Sequence, residues 1–409
     1  MKRKGFLFEK IANIDNLDLA GSNASRNKNS RICVIKYNKE KEKKNKELQQ
    51  VLLSGNYKTS KYTTFTIHEP KERIIYRLPF YPDRIVHHAI MNIMEPIFIK
   101  NFIEHTYSCI KGRGIHKINK DLSKVLKNHP KETKYCLILD ITKFYPSIDR
   151  EILLKLIKTI IKDNKLLEMF NEIIYSVDNG VPIGNYLSQF LANFYMSKFD
   201  HWVKEELKAK YYFCYSDDRR IFSDNKQYLR NVCVAIKLYL KHVLNLKIKN
   251  NYSIIDVDKE GVYFVGYKFY RDHIEIGKRI KKSIFRTIHL YKSGKLNKSR
   301  FKQRMNAYSG WLKYCNSKNL LRKIESLTGL HYSNFVGKVV NISNFFGKYI
   351  YIVDARMKGK TLRIDFIYNH KPYTTYSNSS YLINSISRLK TPILFKIVNY
   401  SNLFNLKLK

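Results

Sequence analysis

Two apolar runs that meet at a pair of acids constrain this chain more than any other feature. Tyr211-Tyr212-Phe213-Cys214-Tyr215-Ser216 and Ile221-Phe222-Ser223 flank Asp217-Asp218, the pattern of two short strands joined by a tight acidic turn. By itself an Asp-Asp turn is most often a solvated turn. Earlier in the chain, Tyr135-Cys136-Leu137-Ile138-Leu139-Asp140 is a short apolar run ending in a third carboxylate, which predicts a buried strand with an acid at its carboxyl end. If these strands are neighbours, Asp140, Asp217 and Asp218 come together on rigid supports. Clustered like charges are costly without a counter-ion. Carboxylate oxygens so placed are what two Mg²⁺ ions, or Mn²⁺ in their stead, need for phosphoryl transfer.

The charge balance points the same way. The 409 residues hold 76 Lys+Arg against 34 Asp+Glu, a formal net charge of +42, with 44% hydrophobic and 14% aromatic residues. Such a chain folds into two or three domains and still needs a polyanionic partner, for which nucleic acid is the leading candidate. No stretch has the roughly 18 uncharged apolar residues of a membrane span, and the apolar run after Lys4 is too short for a signal peptide. A cytoplasmic protein is expected. The six cysteines are scattered without a CxxC pair, which argues against structural zinc and against a disulfide framework.

Along the chain, residues 1–60 are polar, and the lysine-glutamate run from Lys39 to Glu47 predicts a solvated helix. An apolar-periodic helix through Ile85, Ala89, Ile93 and Ile97 is expected next, then a basic loop with Gly112 and Gly114 on either side of Arg113. Asp149 predicts the cap of a helix whose apolar face is Ile152, Leu153, Leu156, Ile157 and Ile160. A second helix begins after Gly184, a third runs from Leu229 to Leu244, and a strand is expected over Val262 to Phe269. Residues 276–335 are basic and helical, and from Gly337 the period shifts to strand alternation.

In order, these segments resemble the motifs of the reverse transcriptase family. Asp140-Ile141-Thr142-Lys143-Phe144-Tyr145-Pro146-Ser147-Ile148-Asp149 resembles its first palm motif, Tyr215-Ser216-Asp217-Asp218 its YxDD box, and Gly180-Val181-Pro182-Ile183-Gly184-Asn185-Tyr186-Leu187-Ser188-Gln189 its template- and nucleotide-positioning motif. Phe264-Val265-Gly266-Tyr267 is similar to the primer grip, while Arg84-Ile85-Val86-His87-His88 and Ser108-Cys109-Ile110-Lys111-Gly112-Arg113-Gly114 resemble fingers motifs of bacterial members. The resemblance covers roughly residues 70–330, and the ordered set is far more specific than any one motif. It implies that Asp140, Asp217 and Asp218 bind the metals and that Tyr145 is a steric gate against a ribose 2′-hydroxyl. It further implies nucleotide contacts from Lys111, Arg113, Gly184, Gln189 and Lys249, the last a candidate acid for pyrophosphate. His87 and His88 are expected to pack or touch RNA, since no partner stands at metal-ligand spacing.

The sequence departs from the family at Ile183, where Pro-Gln-Gly is usual, and at Arg219-Arg220, where an apolar pair follows the acidic box in relatives. Consecutive strand residues point to opposite faces, so one arginine is expected to pair with a nearby carboxylate, either Asp217 or Asp218 in competition with metal or another such as Asp224, or to reach RNA. The expected fold is α+β: a right-hand polymerase with an N-terminal extension (1–60), fingers (61–135), palm (136–275), helical thumb (276–336) and a C-terminal β domain (337–409) of oligonucleotide-binding type. The expected function is RNA-directed DNA synthesis with deoxynucleoside triphosphates, a DNA primer or product and a structured non-coding RNA template, in antiviral defence. A diversity-generating retroelement enzyme and a catalytically weak RNA-binding scaffold are the alternatives. A protein partner or homo-oligomer is left open, and no membrane is expected.

Overall fold

The computed structural model describes residues 3–68 and 72–329, together with six strands between residues 338 and 408. The chain divides into two compact units: residues up to Val265 with Tyr270–Asp272, and Gly266–Phe269 with the chain from His273 onward.

The first unit opens with helices α1 (Phe8–Ala12), α2 (Ile14–Ser25), α3 (Ile32–Lys39) and α4 (Lys41–Leu53), with Asn13 capping α2 by accepting the Asp15 N–H at 2.8 Å. The helix expected in the lysine-glutamate run is α4, and within the run all but Asn45 are exposed or half-buried; the buried face continues beyond it. Leu48 and Leu52 are buried with Leu17, Ala20 and Tyr37 in the main core. Next come the exposed hairpin β1 (Thr63–Ile67) and β2 (Arg73–Arg77), then α5 (Ile85–Ile99), buried through Ile85, Ala89 and Met94, and α6 (Ile115–Asn128).

The central sheet follows: β3 (Tyr135–Asp140), α7 (Phe144–Ser147), α8 (Arg150–Lys158), α9 (Asn164–Ile174), α10 (Tyr186–Glu205), β4 (Tyr211–Tyr215), β5 (Asp218–Ser223), α11 (Lys226–Val243) and β6 (Ser253–Asp256). Asp149 caps α8 as expected, accepting from the N–H groups of Glu151 and Ile152. The strand order β4-β5-β3-β6 puts the two acid-ended strands side by side, antiparallel. Short α12 (Val257–Glu260) leads into β7 (Val262–Phe264).

The single strand expected over 262–269 is broken. Val265 and Gly266 take φ values of 43° and 86°, which end β7 and start β8 (Tyr267–Phe269), itself paired with β9 (Ile274–Ile276). Three helices then build their own core: α13 (Lys278–Lys292), α14 (Lys298–Leu312) and α15 (Lys318–Thr328), around Ile284, Ile288, Phe301, Met305 and Ile324. Phe301 stacks on Tyr291 at 4.2 Å inside that core.

The strands β10 (Lys338–Val339), β11 (Tyr349–Lys358), β12 (Thr361–Tyr368), β13 (Lys371–Ser377), β14 (Ile393–Tyr400) and β15 (Leu403–Leu408) form one sheet in the order β10-β13-β12-β11-β14-β15. That order is an open six-stranded sheet, not the five-stranded barrel of the oligonucleotide-binding type. The contacts with single strands expected of an oligonucleotide-binding domain would come from side chains outside the described residues.

Candidate active site

Register fixes the acids. Asp140 at the end of β3 lies opposite Asp218 at the start of β5, and Tyr215 of β4 also faces Asp218. Asp217 occupies the turn, directly after Ser216, which is held in the left-handed region at φ 56°. Because side chains alternate along a strand, Asp218 and Arg220 share the face of Asp140, and Arg219 points to the other.

The chain returns to this place after α11. Thr142 donates its N–H to the Lys247 carbonyl, and Lys249 donates its own to the Asp140 carbonyl, both at 2.8 Å, so the segment runs alongside the end of β3. This delivers the Lys249 ammonium into an ion pair with the Asp140 carboxylate. Burial pushes the Asp217 carboxyl up, Asp218 and Asp140 push it further, and Lys249 opposes them. One ammonium thus stands among three carboxylates.

That donor set fits a divalent cation in kind, since hard oxygen ligands are what Mg²⁺ and Mn²⁺ take. It is not a preformed cage: among the described residues no three His, Cys, Asp or Glu side chains are arranged to hold a metal ion. Asp140, the central member, is instead engaged by Lys249.

Both arginines after the turn are buried; burial pushes the Arg220 guanidinium down, and the Asp218 and Asp140 carboxylates act on it to oppose that push. Arg219 lies 3.6 Å from the Asp200 carboxylate of α10 and donates to the Ser216 carbonyl at 2.7 Å. Arg220 donates twice to the Tyr263 carbonyl, at 3.0 and 2.6 Å, and lies over the Phe264 ring. The carboxylate partner is therefore Asp200 and not Asp224, which takes the Ser223 hydroxyl at 3.3 Å. An acid on an otherwise apolar helix face, Phe199-Asp200 after Phe194-Tyr195, was the sequence signal for a buried counter-charge.

Tyr145 on α7 hydrogen-bonds Ser216; burial pushes its phenol up to about 12, against the pull of that bond and of Arg73. Its backbone carbonyl accepts the Val181 N–H at 3.0 Å, and Tyr76 of β2 donates to the Ile183 carbonyl at 2.8 Å. The 180–184 loop is thereby held between the Tyr145 turn and the exposed hairpin. A Cβ on Gly184 would stand 2.7 Å from the Tyr76 carbonyl oxygen, which explains the glycine. Gln189 is half-buried on α10.

Lys111 is exposed on its loop, whereas Arg113 donates to the Ile103 and Thr106 carbonyls at 3.0 Å each and so fastens that loop. These bonds use one guanidinium nitrogen of Arg113. His87 is buried in α5 and His88 stacks on Tyr186, in keeping with packing. Of the primer-grip residues, Phe264 and Tyr267 are buried, and Tyr267 donates to the Trp311 carbonyl at 3.0 Å. All six cysteines are free thiols.

An antiparallel sheet flanked by helices, with acids at the end of one strand and in the adjoining hairpin turn, is a polymerase palm. Residues 67–269 match the reverse transcriptase (RNA-dependent DNA polymerase) family, and the chain carries a reverse transcriptase domain. Its similarity to curated proteins is distant. It is 24% identical over 165 residues to nuclear intron maturase 4, mitochondrial, of Arabidopsis thaliana (38% of this chain, 20% of the relative). It is also 24% identical over 173 residues to protein YkfC of Escherichia coli K12 (39% of this chain, 45% of the relative). The chain spans less than half the length of either. Among solved structures, telomerase from Candida albicans in complex with a fragment of telomeric RNA aligns at 11% identity over 73% of this chain and 65% of that one, with a TM-score of 0.41. Among the described residues no helix is long and apolar enough to cross a membrane.

Proposed function

We propose that the protein is an RNA-directed DNA polymerase that extends a primer on an RNA template. The observation that carries this reading is the register of Asp140 against Asp218, with Asp217 in the adjoining turn. Two Mg²⁺ ions bound by these carboxylates would supply activation of the primer 3′-hydroxyl and charge neutralisation at the departing pyrophosphate. The rest falls to the chain itself. Tyr145, held beside Ser216, excludes a 2′-hydroxyl; Gly184 and Gln189 line the template and nucleotide; Lys111 meets the triphosphate by charge-assisted bonds. Lys249 balances the carboxylates and is poised near the leaving group. Residues 264–267 hold the primer end, and the cations of α13 and α14 track phosphates.

The finer reading is a cytoplasmic enzyme of antiviral defence working on a structured non-coding RNA. Pro182-Ile183-Gly184-Asn185 supports the diversity-generating alternative. The Lys249–Asp140 pair favours a second reading, an RNA-binding scaffold of weak activity. Primer extension with Mg²⁺ on an RNA template decides between enzyme and scaffold: the native protein should extend, and Asp217→Asn should lose at least a hundredfold while binding RNA as before. Sequencing the RNA and DNA that copurify with the protein identifies the template.

A further inference from the structure

A serine in the left-handed region is strained, and here it immediately precedes Asp217, so whatever holds Ser216 also aims that carboxylate. The structure holds it from beneath the sheet. Arg219, two residues into the strand and on the face away from Asp140, reaches back to the Ser216 carbonyl at 2.7 Å. Its side chain is 2% exposed, and the guanidinium is fixed in turn by Asp200 of α10 at 3.6 Å and by the face of Phe199 at 5.7 Å. Tyr212 of β4 completes the arrangement by donating to the same Asp200 oxygen at 2.6 Å. The rigid α10 thereby controls one peptide of the acidic turn through a buried arginine, where relatives carry an apolar residue.

We propose that Arg219 is a positioning residue: with Asp200 and Tyr212 it clamps the Ser216 carbonyl and so sets Asp217 in the orientation that binds the divalent cation. This rests on the proposed metal role of Asp217. A buried ion pair is weak ground for stability alone, because replacing the whole network by apolar side chains is often neutral. That fact separates positioning from folding. Such a replacement removes every buried charge yet leaves Ser216 without its donor.

The test compares the native protein with the triple variant Asp200→Leu/Tyr212→Phe/Arg219→Met and with Arg219→Lys, whose single ammonium cannot serve Asp200 and Ser216 in the same fork geometry. Mn²⁺ affinity is read by electron paramagnetic resonance, folding by thermal melting, and extension by kcat and KM for the deoxynucleotide. The expected result is a melting temperature within a few degrees of native, Mn²⁺ affinity lower by at least fivefold, and kcat lower by at least tenfold with KM within about twofold. Should the triple variant not fold, Arg219→Lys is judged by the same readings. Native Mn²⁺ affinity in a folded variant would overturn the proposal. If the native protein shows no extension but the variants still lose Mn²⁺, the clamp stands and the polymerase reading fails.

Discussion

The Tyr145 carbonyl accepts the Val181 N–H at 3.0 Å, which joins the turn after the first acid-ended strand to the loop that begins at Gly180. The approach is so close that a Cβ on Gly180 would stand 2.6 Å from the Pro146 carbonyl carbon and 2.7 Å from its Cα. Gly180 also has φ +61°. Gly180→Ala therefore combines a conformational cost of about 1–2 kcal/mol with a backbone clash that no rotamer relieves. We expect a loss of about 3 kcal/mol or more in denaturant unfolding. Gly55→Ala is the control, since Gly55 has φ +72° with nothing within 4 Å of an added Cβ. Equal losses for the two would mean that the contact with Pro146 is unimportant.

What could be read in advance follows from range. Strands β3, β4 and β5, the Asp149 cap and the start of α10 are written in short stretches, where apolar alternation and capping chemistry act locally. The break at Val265-Gly266 was not visible, because a β-branched residue with positive φ looks in sequence like one more strand residue. Nor was the inward face of α4, where Leu48 and Leu52 are outnumbered by charges and are apolar only at helical spacing. The partner of Arg219 lies on a different element, and only the folded sheet brings Asp200 beneath it.

Tyr145→Ala should raise incorporation of ribonucleotides relative to deoxynucleotides by at least tenfold. The ring is fixed by burial and by its bond to Ser216, so it can exclude a hydroxyl without being pushed aside. Competitive single-nucleotide incorporation measures the ratio. An unchanged ratio would assign the ring to packing.

Stability should fall on mild acidification. Burial lowers His87 from 6.5 to about 4; nearby Asp83 opposes this, and His88 and Arg84 add to it. Below the unfolded value the unfolded chain takes up a proton that the folded chain refuses, so the contribution is full above about pH 6.5 and is lost as pH falls towards 4. The loss amounts to on the order of 3 kcal/mol for this residue. His88, also lowered to about 4 by burial, adds to the slope. Melting temperature against pH should be visibly flatter for His87→Leu over that window; a curve parallel to the native one would place the acid sensitivity elsewhere.

Lys249 supplies the cation at Asp140 when no metal is bound, and this predicts a specific exchange. In Lys249→Met the three carboxylates lose their one ammonium, so the metal-free variant should melt at least about 2 °C below native, consistent with a cost on the order of 1 kcal/mol. Added Mn²⁺ replaces the missing charge, and without an ammonium to displace from Asp140 it should bind more tightly. By mass action the Mn²⁺-induced rise in melting temperature is then larger for the variant than for the native protein, and the two curves converge at saturating metal. Thermal melting across a Mn²⁺ titration, with Asp217→Asn as the variant that should barely respond, measures this. An equal rise in Lys249→Met and the native protein would show that the ammonium and the metal occupy separate places, and Lys249 would then be free to act on the leaving group without first yielding Asp140.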